Sequence, residues 1–338
     1  MVANLYMHPD TFRYNNRDSQ QQVACKLKAL VADMVNVVNG NGDENKFKVP
    51  TSLFGVHVFQ QMQIVEMAET CLDNDEKGVF YTMLSDTSEA YDNLTMEELR
   101  EMSKYSKDEK EIHSLLVLNV PEEDLTAEEK ALDEKEAKMA HKSVEKDYIT
   151  FDTYQVVYSR YTWMHLRRQI LGNHPVSRQA FVAECRKYFP NLCFHNNCTA
   201  SLDDGEYNYV DIIPRTLVYY LSCLNDQFCR VHQECRSEGI VDANSILKHF
   251  SGLYSLDEPG SLQQNPEKKE MLTFQFKNGH NQSCRVLCEP HLKISQTDKN
   301  YNGRAVNYDT FHPRIYFAFP NPDVEGGRLP IGSMGRHI

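Results

Sequence analysis

Apolar residues recur every three or four positions through the first 250 or so residues of this chain, and at every second position near its end. Val23, Leu27, Leu30, Val31 and Met34 share one helical stripe between Ser19 and Val38. Ser19 is placed to cap that helix, and Asn39-Gly40-Asn41-Gly42 to stop it. A second helix is predicted from Ser52 to Leu72, carrying Phe54, Val58, Phe59, Met62, Val65 and Met67. Thr95-Met96-Glu97-Glu98 and Thr126-Ala127-Glu128-Glu129 each match a capping box, where an N-cap hydroxyl and a later glutamate satisfy each other's backbone amides. The next helix is predicted from Phe151 to Leu171. Phe151, Tyr154, Tyr158 and Tyr161 lie along one side of it, a stripe that suits core packing or base stacking. Ser177 caps a helix ending near Tyr188, Pro214 opens another, and Asp242 or Asn244 caps a last one ending near Phe250.

The period then changes. Glu258-Pro259-Gly260-Ser261 and Gln263-Gln264-Asn265-Pro266 form a polar connector. Alternating segments follow at 271–276, 284–294, 314–319 and 328–331, and Lys277-Asn278-Gly279-His280-Asn281 reads as a hairpin turn between the first two. The expected fold class is α+β: a large, mainly helical N-terminal region followed by a small antiparallel β-sheet. The expected divisions are a helical region over 1–120, a charged helix or connector over 121–147, and a helical region over 148–258. A linker over 259–268 then leads to an antiparallel β-rich module over 269–338 that packs on the helices.

The 338 residues suffice for a substantial core, and 41% of them are apolar. No apolar run approaches a membrane span, and the first residues lack the pattern of a signal peptide. Ten cysteines are too few for a disulfide scaffold in a chain of this length, so reduced thiols and a cytoplasmic location are expected, with no membrane partner. A net charge of −12 argues against nucleic acid coating the whole surface. The charge is uneven, however. Residues 121–147 hold ten acids against five lysines, whereas 271–338 hold eight Lys or Arg, five Asp or Glu, and four histidines. Only the latter stretch is suited to meeting a polyanion.

Candidate chemistry gathers in the same stretch. A strand through Glu289-Pro290-His291-Leu292-Lys293 puts Glu289, His291 and Lys293 on one face. In Arg314-Ile315-Tyr316-Phe317-Ala318-Phe319 the apolar Ile315, Phe317 and Phe319 point one way, and Arg314 and Tyr316 the other. If the two strands are neighbours, an acid, an imidazole, two cations and a phenol converge, with Arg336 and His337 as substrate-binding additions. Such a set suits phosphodiester chemistry, in which cations hold phosphate and the other groups move protons. A sheet with one wet face shows the same alternation without any catalysis.

Arg314-Ile315-Tyr316-Phe317-Ala318-Phe319, the turn after it, and Arg328-Leu329-Pro330-Ile331-Gly332 resemble the last two strands of RelE/HigB-like toxins. The resemblance covers at most residues 271–338. It implies a curved antiparallel sheet and ribosome-associated RNA cleavage, with Glu289 and Lys293 on the preceding strand. This chain departs from the family in the long insert between Ile294 and His312 and in the large helical region before the sheet. Arg160-Tyr161-Thr162-Trp163-Met164-His165 also matches the Arg-x4-His core of HEPN-type helical ribonucleases, a spacing that composition alone supplies by chance.

Three cysteine–histidine groups carry metal-ligand residue types: Cys193, His195 and Cys198; Cys229, His232 and Cys235; and Cys284, Cys288 and His291. None repeats a paired C-x2-C spacing, so no metal or cofactor is expected, and the first group comes nearest. Phosphate-loop, dinucleotide, zincin, nucleophile-elbow and kinase signatures are missing. Two functions follow as expectations. One is a toxin-like or defence-associated, metal-independent endoribonuclease with RNA as partner. The other is a non-enzymatic subunit of a larger bacterial phage-defence complex, bound to a protein partner.

Overall fold

The computed structural model describes residues 2–7, 18–38, 46–85, 88–92, 94–102, 111–116, 156–157, 160–174, 176–257, 259–260, 266–299 and 301–338. The chain divides into two units, Met1–Glu134 with Ile149–Arg167, and Lys135–Tyr148 with Arg168–Ile338. The charged segment 121–147, the Thr126 capping box, and Phe151, Tyr154 and Tyr158 lie outside the described residues.

The first unit corrects the expectation of a helical region over 1–120. Its strands are β1 (Val2–Met7), β2 (Lys46–Pro50), β3 (His57–Phe59), β4 (Met62–Gln63), β5 (Ser88–Tyr91), β6 (Glu111–Leu116) and β7 (Val156–Val157). Five of them form one sheet in the order β5-β2-β1-β6-β7, and every pairing in it is parallel. Parallel strands usually read as continuous apolar runs, because helices cover both faces. Here Asn4, Tyr6, Lys46, Lys48, Glu89 and His113 interrupt the runs of β1, β2, β5 and β6, which hides these strands from a search for apolar runs.

The helix caps of this unit follow the sequence pattern. Ser19 and Gln22 cap the Gln20–Val38 helix reciprocally, amide to side chain at 2.8 and 3.3 Å, and Val23, Leu27, Leu30 and Val31 are buried along it. Thr95 and Glu98 form the predicted box ahead of Met96–Met102. The helix predicted from Ser52 to Leu72 instead divides into a 3-10 turn at Thr51–Gly55, the β3–β4 hairpin, and the Ile64–Cys71 helix. Gln60 turns that hairpin with φ +49°, which ends any continuous helix. The helix predicted from Phe151 starts at Arg160 and follows β7.

In the second unit helices surround a small sheet. Ser177 caps Arg178–Tyr188 by accepting from Ala180 N at 3.2 Å, and Asp242 caps Ala243–Leu253 by accepting from Ser245 N at 2.8 Å. Pro214 opens a continuous helical run through Ser237, interrupted by a wide π turn at Leu224–Phe228. Strands β8 (Leu192–Phe194), β11 (His291–Lys293), β12 (Arg314–Phe317) and β13 (Leu329–Gly335) make a four-stranded sheet in the order β11-β12-β13-β8. Between β8 and β11 in sequence, β9 (Thr273–Lys277) and β10 (Ser283–Leu287) form the expected hairpin as a separate pair. The predicted strand over 284–294 is therefore two strands in two sheets, divided at Glu289-Pro290. The sheet is also mixed: β13 runs parallel to β8, which comes from the region predicted as helical.

Both faces of this sheet are covered. Phe317 packs edge-on against Phe228 at 5.0 Å between ring centroids, facing the helices. Tyr316 points the other way, into a cluster with Leu272, Phe274, Phe276, Cys288, Ala318 and Val324. The hairpin thus roofs the face expected to be wet.

Candidate functional site

Strands β11 and β12 pair antiparallel, with His291 opposite Tyr316 and Lys293 opposite Arg314. Strand β13 extends both rows with Ser333 and Gly335. The alternation of two short strands therefore brings His291, Lys293, Arg314 and Tyr316 onto one face, as the sequence predicts. Glu289 stands apart. It precedes β11, is buried, and has Lys269 Nζ as its nearest cation at 3.8 Å.

The roles that burial permits differ along this face. His291 is 5% exposed. Its Nδ1 donates to the Glu289 carbonyl at 3.0 Å, and its ring lies 4.9 Å from that of Tyr316. A Cβ on Gly260 would sit 1.7 Å from His291 Nε2, so the Gly260 backbone covers the remaining ring nitrogen. Burial, with Arg314 and Lys293 adding to it against the Glu289 bond, lowers the His291 pKa to about 4. Tyr316 is committed as well. Its hydroxyl accepts from Ile338 N at 3.3 Å and donates to Ile338 O at 3.4 Å, while burial raises its pKa. These contacts correct the expectation that His291 and Tyr316 offer free proton-carrying atoms. The hairpin and Gly260, both distant in sequence, close over them.

The cations and the end of β13 remain accessible. Lys293 and Arg314 are half-buried, and Arg336 and His337 are exposed. Arg314 has no carboxylate partner among the described residues; burial lowers its pKa, and Tyr316 opposes that shift. The pKa of His337 falls to about 4 through loss of water around the ring, then through Arg314, Lys268, His291 and His312. Its imidazole is accordingly neutral at ordinary pH and sits among positive charges. Lys268, Lys269 and His312 belong to this neighbourhood, although no strand pattern marks them. The first two sit on a short helix, Pro266–Met271, that begins inside the predicted linker.

The Cys193, His195 and Cys198 side chains are each engaged by residues outside their group. Cys198 Sγ donates to the Ile331 carbonyl at 3.3 Å, and His195 Nδ1 accepts from Asn197 N at 3.1 Å. The Cys193 pKa rises to about 12 through burial and then a bond to Glu325. Among the described residues no cluster of His, Cys, Asp or Glu is arranged to hold a metal ion. A polar cleft of about 160 Å³ in the same unit is lined by Arg215, Asp257, Gln296, Thr297, Asp298 and Lys299. Asp298 there is a remote helix cap, accepting from Arg215 N at 2.8 Å, Thr216 N at 3.1 Å and Thr216 Oγ1 at 2.6 Å. Among the described residues no helix is long and apolar enough to cross a membrane.

Comparison with family models, with curated proteins and with solved structures finds no match to this chain.

Proposed function

We propose that the C-terminal module of this chain is a metal-independent, toxin-like endoribonuclease whose working groups lie at the rim of the sheet face. The observation that carries this reading is Arg314, free of carboxylate partners among the described residues, beside the neutral imidazole of His337. Arg314, Lys293 and Lys268 hold the scissile phosphate, and Arg336 binds the flanking backbone. His337 takes the proton of a ribose 2′-hydroxyl. The 2′-oxygen attacks the adjacent phosphorus, a 2′,3′-cyclic phosphate forms, and the 5′-oxygen leaves with a proton from the exposed His312. His291, Tyr316 and Glu289 support the face from beneath. The resemblance to RelE/HigB-like toxins implies an antiparallel sheet at this place, and the reading leans on that implication.

The test is incubation of the full chain with labelled RNA in the presence of a chelator. Cyclic-phosphate ends are expected from wild type, with a loss of 10²-fold or more in His337→Ala and Arg314→Ala, on the order of a general base's contribution. Equal product from wild type and both variants would sink the proposal.

A second reading has its own observation. Gly260 covers His291 Nε2, and the Tyr316 hydroxyl is bonded to Ile338, which suits a face that binds without cutting, within a larger defence complex. RNA retained in a gel shift but never cut, with retention lost in Arg314→Ala, selects that reading.

A further inference from the structure

The polar cleft of about 160 Å³ lies where the loop after β11 passes the start of the Pro214–Cys223 helix, and its walls all belong to the second unit. A space of this size holds on the order of ten water molecules, or one small metabolite. The two acids on its wall serve the fold. Asp298 accepts from the Arg215 and Thr216 amides and from the Thr216 hydroxyl, as the cap of that helix. Asp257 Oδ2 accepts from Ser295 N at 2.7 Å and from Ser295 Oγ at 2.9 Å, which ties the loop down.

Arg215 is different. It is half-buried, its Nη2 donates to the Asn173 side-chain oxygen, and its Nε is buried without a partner. A Cβ on Gly172 would sit 3.4 Å from Arg215 Cα and 3.7 Å from its Cγ, so helix backbone runs against the arginine stem and fixes it. Among the described residues no carboxylate comes within ion-pair distance of the guanidinium. Asn173 is a neutral amide, and the neighbouring His174 is kept neutral chiefly by burial, with a pKa of about 4. A guanidinium keeps its proton in any protein, so a half-buried one without a counter-charge is costly to the fold. A bound anion would supply that charge. The wall also selects the anion. Arg215 and Lys299 are balanced by Asp257 and Asp298, which leaves no surplus positive charge for a phosphate dianion. The planar fork of a guanidinium matches one carboxylate, and Gln296 and Thr297 add an amide and a hydroxyl for polar groups beside it.

We propose that this cleft binds a small hydroxy acid, with the Arg215 guanidinium holding its carboxylate. The site is separate from the RNA-processing face, and its test uses no RNA. Thermal denaturation of the full chain in increasing glycerate, at constant ionic strength, is expected to show a saturable rise in Tm. Glyceramide, the neutral counterpart of glycerate, and inorganic phosphate are expected to act at least tenfold more weakly. Half-saturation by glycerate is expected to move at least tenfold higher in Arg215→Gln and to stay unchanged in Arg314→Ala. In wild type the methyl resonances of Ile294, on the cleft wall, are expected to shift with glycerate, which decides the location even if Arg215→Gln fails to fold. No saturable rise, glyceramide or phosphate acting as strongly as glycerate, or an effect lost in Arg314→Ala but kept in Arg215→Gln would each overturn the assignment. So would methyl shifts at Ile338 with none at Ile294.

Discussion

His291 shows how one residue can satisfy a sequence pattern and still serve a different end. Alternation put it on the face with Arg314 and Tyr316, and the register confirms that placement. What alternation could not show is Gly260 against Nε2, since 31 residues separate the two in sequence. The buried ring gives a pH prediction. Its folded pKa of about 4 lies below the ordinary imidazole value of ~6.5, so the unfolded chain takes up a proton first as pH falls. The stabilisation is full above ~pH 6.5 and is lost as pH drops towards 4, by up to about 3 kcal/mol. Urea denaturation at several pH values should show this decline, and His291→Asn should flatten it; an equal slope in both proteins would contradict the burial argument. Gly335 is a second residue-scale case. Its φ is +97°, and an added Cβ would lie 2.7 Å from the Ser201 carbonyl oxygen. Gly335→Ala should cost about 1–3 kcal/mol in the same assay, and a neutral result would mean that the turn relaxes freely.

Among the elements, caps were the most legible feature. Ser19, Thr95, Ser177 and Asp242 all act where a short polar side chain precedes a helical stripe, because the groups they satisfy are only three residues away. Asp242→Ala should cost about 1 kcal/mol, read as a shift in denaturation midpoint with an unchanged slope. The π turn at Leu224–Phe228 had no such local signal. It presents Asp226 to Arg168, 58 residues earlier, in a buried ion pair at 2.7 Å. Arg168 also donates from Nε to the Tyr188 carbonyl at 2.7 Å and lies 4.6 Å over the Phe189 ring. Asp226→Ala leaves that guanidinium buried without a counter-charge and should destabilise by about 3–5 kcal/mol, whereas loss of an exposed pair would cost under 1. Calorimetry separates the two. A cost as small as an exposed pair's would show that water reaches Arg168.

For the whole molecule, charge distribution gives the remaining prediction. The net charge of −12 opposes RNA in general, so the proposed RNA binding rests on the few cations around Arg314 and should depend steeply on salt. Removing Arg314 should lower the slope of log affinity against log salt by about 1, measured by fluorescence anisotropy. An unchanged slope would place the RNA elsewhere. By itself the sequence determined the caps and most helices of the second unit, the β9–β10 turn, and the side of each strand on which Lys293, Arg314 and Tyr316 stand. All of these depend on neighbours a few residues apart. The tertiary structure alone decided the parallel sheet of the first unit, the parallel contact of β8 with β13, and the roof over His291. Each joins segments distant in sequence, and polar residues set between the apolar ones of β1, β2, β5 and β6 removed the continuous apolar runs by which these strands would have been recognised.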